Sequence, residues 1–436
     1  MRFWCEQALL PGGIAAGVAL DVEAGRITRV TAAAEPGAAT VLPGLTRPGF
    51  ANAHSHAFHR ALRGRTHDHG GTFWTWREQM YQVAATLTPE SLFLLARATF
   101  AEMVLAGYTV VGEFHYLHHQ PSGLPYADAN AMGHALIRAA GEAGIRLTLL
   151  DTCYLAGGLD EHGHVALDTV QRRFSDDSAT AWAERVAALS EGDLVRIGAA
   201  AHSVRAVPLA DLREVADHAR EHGWPLHLHL SEQPAENDAA LAHYRRSPTA
   251  LVADAAHDGF TAVHGTHLTE GDVDLLAASA SIVCFCPSTE ADLADGIGPA
   301  RELLDAGVRL CLGSDQNAII DPFAEVRGLE HHERLRSRQR GRFTPAELEG
   351  IASANGYAAV GWGDGGRIEP GALADLVSID LRSVRTAGSA PEQVLLTASA
   401  SDVTDVVVGG EHVVQAGRHR LGHVAALLTQ ALGGLR

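Results

Sequence analysis

The 436-residue chain has no lysine; its entire Lys-plus-Arg total of 34 is arginine. That absence excludes any chemistry that needs a Schiff-base, phosphate-binding or carboxylated lysine. Cysteine is sparse as well. The five, Cys5, Cys153, Cys284, Cys286 and Cys311, are an odd number spread through apolar segments, so no disulfide framework is expected. No apolar run approaches the roughly 18 residues of a membrane helix, and the start MRFWCEQALLPGG lacks the basic and apolar stretches of a signal peptide. The expectation is a soluble cytoplasmic protein. Positive charge is short too: 34 basic against 52 acidic residues gives a net charge of −18, and such a surface repels phosphate backbones. Neither nucleic acid nor a membrane is an expected partner.

What is abundant is histidine, with 25 residues. Those in His67-Asp68-His69, in Glu161-His162-Gly163-His164 and in the His-His pairs read as solvent-exposed. The remainder need a closer look at their place in the chain. Residues 1–46 and 367–423 are rich in short strands with turns (GVALDVEAGRITRVTA, GRIEPGALADLVSID), and they are expected to join as a small β-sandwich. Residues 424–436 read as a C-terminal helix or tail. Between the flanks, over 47–366, eight apolar runs alternate with longer amphipathic stretches: RPGFANAHSH, GYTVVGEFHY, IRLTLLDTCY, VRIGAAAHSVR, WPLHLHLSEQ, FTAVHGTH, ASIVCFCPSTE and VRLCLGSD. Stretches such as PESLFLLARATFAEMVLAG open on Pro, Asp or Ser signals and close at Gly, as helices do. Eight such units predict an α/β fold, a (β/α)8 TIM-type barrel. A doubly wound open sheet is the alternative, but the glycine-rich dinucleotide fingerprint after the first strand is missing.

Polar residues gather where each predicted strand ends, the end at which barrels of this kind keep their active sites. The first strand ends His54-Ser55-His56, and alternate residues on a strand point the same way, so both imidazoles can reach one metal ion. The fifth ends His229-Leu230-Ser231-Glu232, the sixth offers His264 or His267, and the eighth ends in Asp315. Singly, each is explained by an ordinary cap, turn or buried histidine. Their joint occurrence at four strand ends points to a metal site.

The pattern HxH, HxxE, His and Asp on a barrel with split β flanks resembles the amidohydrolase superfamily along the whole chain. Members with two metals bridge them with a carboxylated lysine at the end of strand four. Here that place holds His202-Ser203-Val204-Arg205, so one ion is expected, held by His54, His56, His229 and Asp315. Those ligands suit Zn²⁺ in a catalytic role, and Fe²⁺ suits the same ligand types. The resemblance implies hydrolysis: a metal brings the pKa of water near neutrality, Asp315 accepts its proton, and His264 orients or polarises the nucleophile. Glu232 protonates the substrate nitrogen and then the departing amine.

The segments HSHAFHRAL, FWTWREQMY, GEFHYLHH and AHSVRAV are similar to the formimidoylglutamate deiminase family, which turns N-formimino-L-glutamate into N-formyl-L-glutamate and ammonia in histidine degradation. That similarity implies that Arg77, Tyr116, His202 and Arg205 face the glutamate part, and Arg is suited to hold carboxylates bidentately. The family often has Gln three residues after the second metal histidine; this chain has His59. Another formimino or guanidino acid, or an aminoheterocycle, is the alternative substrate, though two arginines suit a neutral base poorly. A silent metal-binding scaffold has no use for Glu232. A small-molecule dicarboxylate is thus the expected partner, with a homodimer one assembly open to the chain. Trp74 and Trp76 read as packing residues, Cys284 and Cys286 as buried fillers, His115, His118 and His119 as a polar loop, and Arg334, Arg336, Arg338 and Arg340 as a solvated helix end.

Overall fold

The computed structural model describes residues 1–66, 70–257 and 259–435, so His67 and His69 lie outside the described residues. Its centre is an eight-stranded parallel sheet: β1 (Phe50–Ser55), β2 (Tyr108–His115), β3 (Arg146–Cys153), β4 (Val195–Ala201), β5 (Leu226–Leu230), β6 (Thr261–His264), β7 (Ile282–Phe285) and β8 (Arg309–Leu312). Each strand pairs with the next in sequence order. The ring closes between β1 and the residues after β8, where Asp315 N–H donates to the His54 carbonyl (3.0 Å) and His56 N–H to the Asp315 carbonyl (2.9 Å). Two of the functional strand ends are therefore stitched together at the seam. The strands are buried along nearly their whole length, which is why they read as continuous apolar runs and not as alternating ones.

Helices cover the outside of the ring. The helix Pro89–Leu105 begins at a Thr88–Ser91 capping box with proline in its first turn, and Ala131–Ala143 and Leu209–His222 end at Gly144 (φ 78°) and Gly223 (φ 66°). Left-handed backbone is open to glycine without a Cβ penalty, so these glycines stop the helices and send the chain into the next strand. No helix among the described residues is long and apolar enough to cross a membrane.

The two chain ends form a second eight-stranded sheet, in the order 418–419, 411–415, 403–408, 376–379, 40–48, 2–10, 13–23, 26–31. Thr40–Pro48 is the junction, running parallel to Arg2–Leu10 and antiparallel to Leu376–Ile379. Phe3, Cys5, Val18, Leu20, Leu42, Leu376 and Val407 make a core within this sheet, and Val377, Ile379, Val406 and Val408 belong to the main core shared with the barrel. A buried ion pair crosses the boundary: Arg146 at the start of β3 donates to Asp375 through Nε (2.7 Å) and Nη2 (3.2 Å), and Tyr357 Oη adds a third bond to the same carboxylate (2.8 Å). All five cysteines are free and buried.

Candidate active site

Strand geometry delivers the first group of side chains. His54, at the end of β1, and His229, at the end of β5, bring their Nε2 atoms to 3.2 Å, and Asp315 Oδ1 lies 3.4 Å from Nε2 of both His54 and His56. Four ligands placed tetrahedrally at the usual 2.0–2.1 Å from one ion sit about 3.3 Å apart, so these spacings are ones at which the side chains could share a metal ion. Carbonyl anchors support that reading. His56 Nδ1–H donates to the Phe114 carbonyl (2.9 Å) and His229 Nδ1–H to the His202 carbonyl (3.0 Å), which leaves each Nε2 with a free lone pair turned inward. Burial, only partly countered by Asp315, pushes the His54 pKa down to about 3, so its ring is neutral at physiological pH. The Asp315 carboxyl, although burial opposes its charge, is held far below its usual range by His54, His264 and His56.

The remaining chemistry-bearing groups crowd the same point. His264 Nε2 is 3.9 Å from Asp315 Oδ2 and 3.7 Å from Glu232 Oε1, and its Nδ1 faces Glu290 at 3.4 Å. Burial works against a charge on His264, but Glu232, the hydrogen bond to Glu290 and Asp315 together raise its pKa to about 10. Burial raises the Glu232 pKa, with His264 and Arg205 opposing. His267, the other candidate on strand six, turns away and donates to the Asp295 carbonyl (2.9 Å).

Backbone strain collects here. Ser231 (φ 50°), His264 (φ 73°), Asp315 (φ 41°) and Asn317 (φ 57°) are non-glycine residues in the left-handed region, a cost that persists only where the surroundings enforce it. Asn317 Nδ2 supplies part of that enforcement, donating to the carbonyls of His56 (3.0 Å) and Asp315 (3.2 Å), while Ser314 links Asn317 to Asn52 on β1. Glu113 on β2 accepts the Ala57 N–H at 2.6 Å and so pins the turn that follows His56. None of these supports stands out in the sequence, because each acts through a contact with a distant segment.

A cleft opens from this cluster, lined by His56, His59, Trp76, Arg77, Tyr116, His202, Arg205, Glu232, His264 and Asp315 among others. Apart from His267, which turns away, the residues singled out in the sequence as ligands, proton carriers or substrate contacts line this cleft, or, for His54, lie directly against its lining at His229 and Asp315. His59 Nε2 and Tyr116 Oη are hydrogen-bonded at 2.9 Å. The Arg205 Nε–H is given to Glu236 (3.1 Å), with Nη2 3.6 Å from Glu232. Arg77 makes no ion pair among the described residues; its guanidinium lies over the rings of Trp74 (4.6 Å) and Tyr81 (5.5 Å). Both arginines are close enough to act on the same neighbour: burial first, then Arg205, and also Arg77, push the His202 pKa well below its usual value.

Three expectations need correction. Trp76 is buried and walls the cleft, whereas Trp74 is 39 % exposed and serves as a platform under Arg77 instead of packing in the core. His115, His118 and His119 are not a polar loop, nor is the His118-His119 pair solvent-exposed: all three are buried. His118 and His115 cluster with Asp151, and His119 lies 3.1 Å from Asp176. The reason is Arg185, a residue distant in sequence, which binds Asp151 through both terminal nitrogens (2.8 and 3.0 Å) and Asp176 at 2.8 Å. With that guanidinium and the Trp182 indole N–H saturating Asp151, the group is a buried structural network and a poor cation site. The Arg334–Arg340 run ends a helix as expected, with Arg334 and Arg336 paired to Glu330 and Glu333.

Comparison with known proteins places this geometry. The sequence profile of the amidohydrolase family matches residues 45–413. The chain is 36 % identical to a formimidoylglutamate deiminase of Pseudomonas aeruginosa, with 95 % of each chain aligned. It is 30 % identical to an 8-oxoguanine deaminase of the same organism, covering 94 % of this chain and 93 % of that one. Among solved structures, an amidohydrolase from Brucella melitensis superimposes with a TM-score of 0.91 at 32 % identity, covering 100 % of this chain and 99 % of that one.

Proposed function

The chain belongs to the amidohydrolase family and is a hydrolase of carbon–nitrogen bonds, and from that premise we propose that it converts N-formimino-L-glutamate and water into N-formyl-L-glutamate and ammonia. The observation that carries this reading is the company the reactive groups keep. Glu232 and His264 share one cleft with two arginines: Arg205, 3.6 Å from Glu232, and Arg77, which makes no ion pair among the described residues. A formimino group attached to a dicarboxylate meets both kinds of partner in that cleft. The Pseudomonas aeruginosa relative, named for that substrate, supports the choice.

One divalent ion, Zn²⁺ by ligand type, would be held by His54, His56, His229 and Asp315. When bound, it supplies the Lewis acidity that makes water a nucleophile near neutral pH. The chain's own groups do the rest. Asp315, ionised and stitched into the barrel seam, accepts the proton of the attacking water through Oδ2, the oxygen turned toward His264. His264, kept protonated at Nδ1 by Glu290, offers its Nε2–H to the oxygen of the attacking water and orients it toward the formimino carbon, whose displaced electron pair passes to the imine nitrogen. Glu232 delivers a proton to the imine nitrogen, then receives one from the new hydroxyl and passes it to the departing amine, so that ammonia leaves and a formyl carbonyl remains; the proton taken by Asp315 returns to Glu232, and both carboxyls end as they began. His59 and Tyr116, joined by their hydrogen bond, flank the reacting end, and Arg77, His202 and Arg205 hold the glutamate part.

Ammonia release over a panel of formiminoglutamate, formiminoaspartate, guanidino acids, cytosine, guanine and 8-oxoguanine tests the proposal. The expected result is the highest kcat/KM on formiminoglutamate. A carboxylate-free heterocycle as the best substrate would sink it.

A further inference from the structure

Against Tyr81 and Tyr154, two rings of the cleft wall, sits a glutamine that no part of the chemistry above requires. Gln171 begins the short 3-10 turn Gln171–Phe174 and is 2 % exposed. Its Nε2 donates to Tyr81 Oη (3.0 Å), Tyr154 Oη (3.0 Å) and the Gly157 carbonyl (3.2 Å). The amide orientation is fixed by chemistry, because Oε1 accepts the Asp168 backbone N–H at 2.9 Å and only an oxygen can do so. The close approach depends on glycine at 157, where a Cβ would lie 2.8 Å from Gln171 Oε1.

This arrangement has a consequence for the two tyrosines, which come from separate elements: Tyr81 from the helix Phe73–Thr86 and Tyr154 from the turn after β3. Since Nε2 has two hydrogens to give and cannot accept, neither phenol hydrogen is spent on it. One can be given to the other phenol, and at least one O–H is then left to donate to a group in the cleft that both rings line. Phe174, from the same turn, packs edge-on against Tyr154 (5.4 Å between centroids) and tilted against Tyr81 (6.0 Å), so the pair has little room to swing. Arg173, fully buried, ties the turn to the carbonyls of Ala84 and Leu87 at the end of the helix that carries Arg77 and Tyr81.

We propose that Gln171 is a positioning residue that turns the phenol hydrogens of Tyr81 and Tyr154 toward one carboxylate of the substrate, completing with Arg77 an anion cradle that selects acidic formimino compounds. The proposal rests on the substrate reading above. It adds two specificity-determining hydroxyls and the residue that aims them.

The test compares the parent enzyme with Tyr81→Phe, Tyr154→Phe, Gln171→Leu and Gln171→Glu, using ammonia release from formiminoglutamate and from formamidine, which carries the formimino group without a carboxylate. Loss of a hydrogen bond to a charged group predicts a KM for formiminoglutamate raised roughly ten- to a hundredfold in each tyrosine variant, with kcat changed by no more than about threefold. Formamidine turnover should stay within about twofold. Gln171→Glu keeps the shape but replaces the donor by an acceptor, so the phenol hydrogens turn inward and KM should rise at least as far as in the phenylalanine variants. If Gln171→Leu fails to fold, the other three variants carry the test. A formiminoglutamate KM within twofold of the parent in both phenylalanine variants and in Gln171→Glu overturns the cradle while leaving the substrate reading intact. An equal loss on formamidine overturns it as well, because the effect would then be structural. If the parent enzyme itself prefers formamidine to formiminoglutamate, the substrate reading fails, and the cradle fails with it.

Discussion

Replacing Glu232 by glutamine separates proton transfer from shape. The side chain is 7 % exposed, with its oxygens 3.7 Å from His264 Nε2 and 3.6 Å from Arg205 Nη2, so an amide of the same size fits the same space. Two losses follow. The amide cannot carry a proton to the imine nitrogen, and positioned general acids of this kind contribute about 10²- to 10⁴-fold. The charge beside His264 also disappears, and at an effective dielectric near 20 two unit charges 3.7 Å apart interact by roughly 4–5 kcal/mol at most. Glu290 and Asp315 still support the imidazolium, so the second loss should appear as a fall in the His264 pKa and a narrower alkaline range, not as loss of the site. Among the described residues Glu232 belongs to no group of converging ligand atoms, and metal content should therefore be unchanged. The expected outcome is kcat lowered about 10²- to 10⁴-fold with full metal occupancy, measured by ammonia release alongside elemental analysis. Glu232→Asp, which retains a carboxyl one methylene short, should fall between the two. Turnover of Glu232→Gln within threefold of the parent would make Glu232 a bystander, and metal loss in proportion to activity would make it a ligand.

Arg77→Met should lower kcat/KM on formiminoglutamate roughly 30- to several-hundred-fold, because a carboxylate fork in a partly dry cleft is worth about 2–3 kcal/mol or more, at 1.4 kcal/mol per tenfold; steady-state kinetics with formamidine as the carboxylate-free control should show no comparable drop. Chelation should abolish activity on every substrate, and titration with Zn²⁺ should restore it at about one ion per chain; restoration only at two ions per chain would contradict the single ligand set. Asp375→Ala should cost about 3–5 kcal/mol of stability in denaturant unfolding, since it leaves the Arg146 guanidinium buried without its partner at the junction between the end sheet and β3.

How much of this was readable in advance depends on the range of the interactions involved. His54 and His56 share a strand face, and His229 and Glu232 end a strand and begin its turn; such local regularities, repeated at four strand ends, sufficed to single out side chains that the fold brings together as candidate metal ligands and their neighbours. The order of apolar runs and amphipathic stretches likewise specified the barrel, because a fully buried parallel strand leaves a continuous apolar signature. What could not be read depends on contacts between segments far apart in sequence. Asn317, Glu113 and Gln171 look like ordinary polar residues until the fold brings each to the carbonyl, amide or phenol it serves. The misreading of His115, His118 and His119 has the same origin: their burial is offset by Arg185, and nothing near them in sequence announces that partner. Trp74 and Trp76, two apart on a helix, necessarily face different directions, so one walls the cleft and the other supports Arg77 from the solvent side.

The measurement that bears most directly on the proposed reaction is product identity by NMR after incubating the metal-loaded enzyme with N-formimino-L-glutamate. The arrangement of Glu232, His264 and Asp315 around the formimino carbon predicts one equivalent each of N-formyl-L-glutamate and ammonia, because the terminal nitrogen is the one protonated and released. Glutamate with formamide as the products, or unchanged substrate under conditions where 8-oxoguanine is turned over, would contradict it.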